Sequence, residues 1–82
     1  MSRILIIDDE PQIRRFLQIG LTAQGYSILE ADAGRQGLVL AAEENPDLII
    51  LDMGLPDLDG QVVLKKLRDF YHQPIIVLSV RN

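Results

Sequence analysis

Asp8, Asp9 and Asp52 each stand where a short apolar run stops. Ile4-Leu5-Ile6-Ile7 ends at the acidic pair, and Leu48-Ile49-Ile50-Leu51 ends at Asp52. If the two runs are neighbouring strands, the three carboxylates converge at one end of a sheet. Carboxylates a few ångströms apart repel one another, and at least one resists ionising unless a cation joins them. A hard divalent ion such as Mg2+ relieves the repulsion, taking one or two carboxylates and keeping waters that a phosphate can replace. Such a site suits phosphoryl transfer, in which a carboxylate attacks phosphorus while the cation neutralises oxygens. The plainer reading is that each aspartate merely ends a strand or caps a helix. Glu10 fits that reading, beside a helix N-terminus where negative charge is favoured. Asp8 and Asp9 alone do not decide between the two; joined to Asp52 at a second strand end, they favour the chemical one.

The elements that must position these residues are legible from hydrophobic period. The two apolar runs above, and a third over Ile75-Ile76-Val77-Leu78 that ends at Ser79, are continuous rather than alternating. That pattern belongs to strands buried on both faces, as in parallel sheets covered by helices. Tyr26 to Glu30 is more polar and reads as an edge strand. Between the strands lie three helices. Ile13, Phe16, Leu17, Gly20 and Leu21 make an amphipathic stripe, with Pro11 suited to the first turn and Gly25 to the end. A second helix is expected over Ala33 to Glu44, with Asp32 as candidate N-cap, Pro46 beyond its end, and Gly34 and Gly37 as weak points. A third runs from Gly60 to Tyr71, with Asp59 as candidate N-cap. Strand and helix alternate through four strands and three helices, which implies right-handed crossovers and a parallel α/β sheet. Open sheets of this kind bind ligands beyond the carboxyl ends of their strands, where strand order reverses. The aspartates lie at such ends.

Composition narrows the function classes. An apolar content of 48% supplies a core and argues against disorder. A net charge of −4 leaves no basic stripe to displace counterions, which argues against direct nucleic-acid binding. The chain has no cysteine, so neither a disulfide framework nor a thiolate metal site is expected, and a reducing cytoplasm is the fitting compartment. No signal peptide or membrane-spanning run is visible. No P-loop or dinucleotide fingerprint occurs, and Asp-Asp-Glu lacks the Asp-x-Asp spacing of phosphatases with an aspartyl nucleophile. His72 is a lone histidine without a second ligand nearby. Phe16, Tyr26, Phe70 and Tyr71 read as packing residues.

Three segments carry a family resemblance. Ile4 to Glu10, ILIIDDE, resembles the first strand and acidic pair of two-component response-regulator receiver domains. Asp52-Met53-Gly54-Leu55-Pro56-Asp57-Leu58-Asp59-Gly60 is similar to that family's phosphorylatable Asp, Leu-Pro and following Gly. Val77-Leu78-Ser79 is similar to its fourth strand, which ends in Ser or Thr. The likeness is greatest to OmpR-type transcriptional regulators, particularly those of potassium-transport (Kdp) operons, through IRRFL and PDLIILDMGLPD. The resemblance implies a flavodoxin-like, CheY-like sheet of order 2-1-3-4. It implies Asp52 as nucleophile toward a phosphohistidine on a sensor histidine kinase. Asp9, Asp52 and the Gly54 carbonyl would ligate Mg2+, with Asp8 supporting the ion through water. Ser79 would hydrogen-bond a phosphoryl oxygen, and Pro56 and Gly60 would shape the loop into the third helix.

On the same resemblance, residues 1–82 are expected to be a truncated receiver domain. The family's fourth helix, fifth strand, fifth helix and DNA-binding output domain are not in the sequence, nor is the Lys that pairs with the phosphoryl group. Lys65 and Lys66 fall on the third helix and do not replace it, and Arg81 is a poor substitute. A bare edge over Ile75 to Ser79, together with uncovered sheet surface, is expected to drive homodimerisation. Two further readings stand beside the phosphoacceptor: a pseudo-receiver that folds or dimerises without accepting phosphate, and a metal-dependent phosphohydrolase. The resemblance favours an acceptor over an enzyme.

Overall fold

A computed structural model describes residues 2–78. Within them the order is β1 (Arg3–Ile7), α1 (Pro11–Ala23), β2 (Ser27–Ala31), α2 (Gly34–Glu44), β3 (Leu48–Asp52), α3 (Gly60–Arg68) and β4 (Ile75–Leu78). All strand pairs are parallel and the sheet order is β2-β1-β3-β4. The chain moves outward from β1 to β2, then crosses to β3 on the other side. The switch point therefore lies between β1 and β3.

The sheet has two unequal faces. Leu5 and Ile7 of β1 and Ile49 and Leu51 of β3 point to one side, where Ala41, Val63, Leu67 and Tyr71 bury them completely. Helices α2 and α3 cover this face. Their first-turn and mid-helix glycines, weak for helix propensity, are retained because they let elements approach closely. A Cβ on Gly37 would stand 2.6 Å from Cδ1 of Ile7, so α2 lies directly on β1 there. Ile4, Ile6 and Ile50 form the smaller core on the opposite face, with Leu17 and Leu21 of α1 packed against it. One helix cannot cover four strands, and no residue of α1 is buried.

Pro11 opens α1, as its sequence position implied, and Gly25 follows its end at φ +96°, a conformation open to glycine without strain. Helix α2 ends on Asn45 in the left-handed region, whose N–H donates to the Ala41 carbonyl at 3.1 Å. Asp59 caps α3 as expected, its carboxylate accepting from the Gln61 N–H at 2.8 Å.

Several expectations need correction. The third helix stops at Arg68 rather than Tyr71. Tyr71 instead turns inward and is fully buried, its hydroxyl donating to the Pro46 carbonyl at 2.8 Å. Phe16 is 74% exposed, and Tyr26 and Phe70 are also exposed, so of the four aromatic residues only Tyr71 packs in the core. Asp32 does not cap α2; its own N–H donates to Gln36 Oε1. The cap comes from Asp57, far along the chain.

Candidate functional site

Strand register assembles the acidic residues. Ile7 of β1 is level with Leu51 of β3, so the next residues, Asp8 just past β1 and Asp52 at the end of β3, stand side by side at the switch point. Asp9 follows in the turn into α1. One carboxylate oxygen from each of Asp8, Asp9 and Asp52 lies within 4.8 Å of the others. Asp8 is 3% exposed and Asp52 8%, the only buried charged residues among those described. The ion pairs found among the described residues, Arg3–Glu44, Arg14–Glu30 and Arg35–Asp57, all lie elsewhere. The cluster therefore carries concentrated negative charge without a side-chain counterion among those residues.

The polypeptide holds Asp8 from three directions. Its N–H donates to the Ala31 carbonyl at 3.0 Å, and its Oδ1 accepts from the Glu10 N–H at 2.8 Å. Its own carbonyl accepts from Nη1 of Arg14 at 2.8 Å, while Nε of the same arginine holds Glu30. Burial raises the Asp8 carboxyl above its ordinary 3.8; the Glu10 N–H opposes this, and the charges of Asp52, Glu10 and Asp9 add to it. Three hard oxygen donors, two of them buried, fit a hard divalent cation and leave positions for water and a phosphoryl oxygen.

The raised Asp8 carboxyl has a consequence for stability. Between its unfolded value of 3.8 and the higher folded one, the native state holds the extra proton. Stability from this group is thus present at low pH and falls as pH rises through the folded value. In chelator, Asp8→Asn keeps the oxygen that accepts from Glu10 and removes the charge. Thermal melts across pH are expected to show a higher Tm for this variant near neutrality and a flatter acid-to-neutral slope. A lower Tm near neutrality would show that the ionised carboxylate is stabilising.

The segment from Met53 to Asp59 leads from Asp52 into α3 and is fastened at several points. The Gly60 N–H donates to the Met53 carbonyl at 3.3 Å. A Cβ on Gly60 would stand 2.5 Å from the Met53 Cα, so backbone contact excludes any side chain there. Asp57 reaches the N-terminus of α2, accepting from the Gly34 N–H at 2.7 Å and the Arg35 N–H at 2.9 Å. Those two bonds hold its carboxyl below the ordinary value. Gly54 and Pro56 lie exposed within this segment. Asp57 is the residue that sequence reading missed, because a cap supplied from 23 residues away leaves no local signature. Lys65 and Lys66 sit in the last turn of α3, which runs back away from the aspartates. Ser79 and Arg81 lie outside the described residues.

The profile of the response regulator receiver domain matches residues 4–82. The transcriptional regulatory protein KdpE of Mycobacterium tuberculosis H37Rv is 52% identical over the whole chain, and that of Escherichia coli K12 is 48% identical. The chain spans 36% of the length of each. TrrA, a response regulator of Thermotoga maritima, is 37% identical and superposes with a TM-score of 0.92 in a structure with Mg(2+)-BeF. A second TrrA structure, in complex with histidine kinase ThkA, gives 0.91; all of this chain and 72% of TrrA are covered in both. The order β2-β1-β3-β4, the acidic ends of β1 and β3, and these likenesses agree, and the chain belongs to the response regulator receiver domain family.

Proposed function

We propose that this receiver domain accepts a phosphoryl group on Asp52 from a phosphohistidine of a partner histidine kinase. The observation that carries the reading is the convergence of Asp8, Asp9 and Asp52 within 4.8 Å at the switch point of the sheet. The TrrA structures with Mg(2+)-BeF and with histidine kinase ThkA support it by likeness. An Asp52 carboxylate oxygen attacks phosphorus, the P–N bond to the kinase imidazole breaks, and its electron pair leaves with the ring. The product is an acyl phosphate on Asp52. Asp9, Asp52 and the Gly54 carbonyl would hold Mg2+, with Asp8 behind them, and the ion would neutralise the phosphoryl oxygens. The Ser79 hydroxyl would donate to one of those oxygens. In this reading the domain is an acceptor in a cytoplasmic relay rather than an enzyme. The longer protein it represents would control transcription, as the KdpE names state of those relatives. Among the described residues no helix is long and apolar enough to cross a membrane.

Intact-mass measurement after incubation with acetyl phosphate tests the proposal. One phosphoryl adduct is expected with Mg2+ and none with EDTA. No adduct under either condition would remove the phosphoacceptor reading and leave the pseudo-receiver.

The pseudo-receiver reading draws on a different observation. β4 is an edge strand with Ile76 49% and Val77 39% exposed. Its unpaired backbone groups match a strand, and about a two-fold axis they match a second copy of β4. Light scattering is expected to give a dimer mass for the parent and a monomer for Ile76→Lys. A monomeric parent at high concentration would remove self-association.

A further inference from the structure

We propose that Asp57 is a positioning residue for the acidic pocket. By closing the N-terminus of α2, it holds the segment between β3 and α3, and with it the Gly54 carbonyl, in place beside Asp8, Asp9 and Asp52. The inference rests on the Mg2+ site proposed above and concerns a residue that touches neither ion nor phosphoryl group there.

Loops are the mobile part of a fold unless something fastens them. Gly54 lies between two fasteners, the Gly60 N–H on the Met53 carbonyl at 3.3 Å and the Asp57 carboxylate on α2. The Asp57 fastener is the stronger. A carboxylate that accepts two N–H groups at a helix N-terminus gains from charge-assisted bonds and from the helix dipole. The place where it lands is kept bare: a Cβ on Gly34 would meet Val63 Cγ2 at 2.9 Å and both Asp57 Oδ1 and Leu58 Cβ at 3.2 Å. The segment lies on the glycine that begins α2.

The other end of the linkage reaches the pocket independently. Gly37, one turn further along α2, lies against Ile7, where a Cβ would stand 2.6 Å from Cδ1. Ile7 is the residue before Asp8 and is fully buried. A continuous packed path therefore runs from the segment after Asp52, through Asp57 and α2, to the residue before Asp8. Both halves of the acidic pocket, one from β1 and one from β3, are referenced to the same helix. A capping residue that served only α2 would leave the pocket unaffected when removed. One that fixes the segment would change the affinity for the ion.

Isothermal titration with Mg2+ separates these roles. Asp57→Ala is expected to weaken Mg2+ about tenfold, within the range typical when a group that orients metal ligands is lost. Phosphoryl incorporation at saturating Mg2+ is expected to be restored. Asp57→Asn, whose amide oxygen still accepts an N–H, is expected to recover part of the affinity. Tyr71→Phe serves as a stability control, since the hydrogen bond it removes lands on Pro46, before β3 and at the opposite end of that strand from Asp52, and it is expected to keep parental affinity. Arg35→Ala removes only an exposed side chain 3.9 Å from Asp57 and leaves the two backbone donors, so it is expected to bind as the parent does. Parental Mg2+ affinity in Asp57→Ala, or an equal loss in Tyr71→Phe, overturns the proposal. If Asp57→Ala does not fold, parental affinity in Asp57→Asn overturns it as well. A parent chain that binds no Mg2+ defeats the site itself, a result distinct from a parent that binds and a variant that binds equally.

Discussion

Asp52→Asn is expected to take up no phosphoryl group from acetyl phosphate under conditions where the parent chain is modified. The side chains are nearly isosteric, so the site keeps its shape. The amide lacks the anionic oxygen that must form the bond to phosphorus. Two further readouts check that the loss is chemical rather than structural. Removing one of three crowded charges relieves the repulsion around Asp8, so Tm in chelator is expected to rise. Removing one of the proposed ligands is expected to weaken Mg2+ binding, measured by the same calorimetry. An adduct that persists in Asp52→Asn and maps to Asp8 or Asp9 would move the nucleophile to β1 and overturn the assignment. A variant that loses the adduct because it unfolds would show a lower Tm, which separates that outcome from the expected one.

Tyr71→Ala is expected to be the most destabilising single change in the domain. Tyr71 is 1% exposed and the largest of the fully buried side chains. Its loss empties core volume beside Leu67 and Val63 and orphans the Pro46 carbonyl that its hydroxyl meets at 2.8 Å. Truncating a buried aromatic residue costs about 3–5 kcal/mol, a large share of the about 5–15 kcal/mol that typically holds a domain together. Tyr71→Phe keeps the ring and loses only the hydrogen bond, costing about 1–3 kcal/mol for the unsatisfied carbonyl. Urea denaturation measures both, and equal losses would show that the hydroxyl matters more than the ring. The phenol adds a pH signature. Burial, with the charge of Asp47 and against that of Arg68, pushes it from 10.0 up to about 12. The neutral phenol is thus favoured in the native state. Its contribution is fully present below pH 10.0 and is lost as pH rises through about 12. Tyr71→Phe is expected to lack that alkaline loss.

The contrast between these two residues separates what could be read locally from what could not. Asp52 was legible because a continuous apolar run of β-branched and leucine side chains stops abruptly at a carboxylate, and the same happens at Asp8. Strand type, strand ends and parallel order all follow from that pattern, and the structure places the seven elements in the expected sequence. The Asp59 cap was legible for the same reason: donor and acceptor lie two residues apart. Tyr71 read as one more helical apolar residue, and nothing local distinguished it from Phe70 or Phe16. Whether an aromatic side chain is buried depends on what stands opposite, which for Tyr71 is Pro46, 25 residues away.

Asp57 makes the same point within the candidate site. No local signal marked it as a cap, while Asp32, two residues before α2, was the candidate. The carboxylate that won comes from a loop brought over by the crossover into β3, and Gly34 leaves room for it. The sequence by itself determined the periods of its elements, the acidic strand ends and the family, because these depend on neighbours along the chain. Tertiary structure alone decided which carboxylate closes α2, which aromatic ring fills the core and how far α1 stays exposed. Those outcomes depend on partners brought together by chain crossovers, and a hydrogen bond or a buried ring is stabilised by what it meets in space.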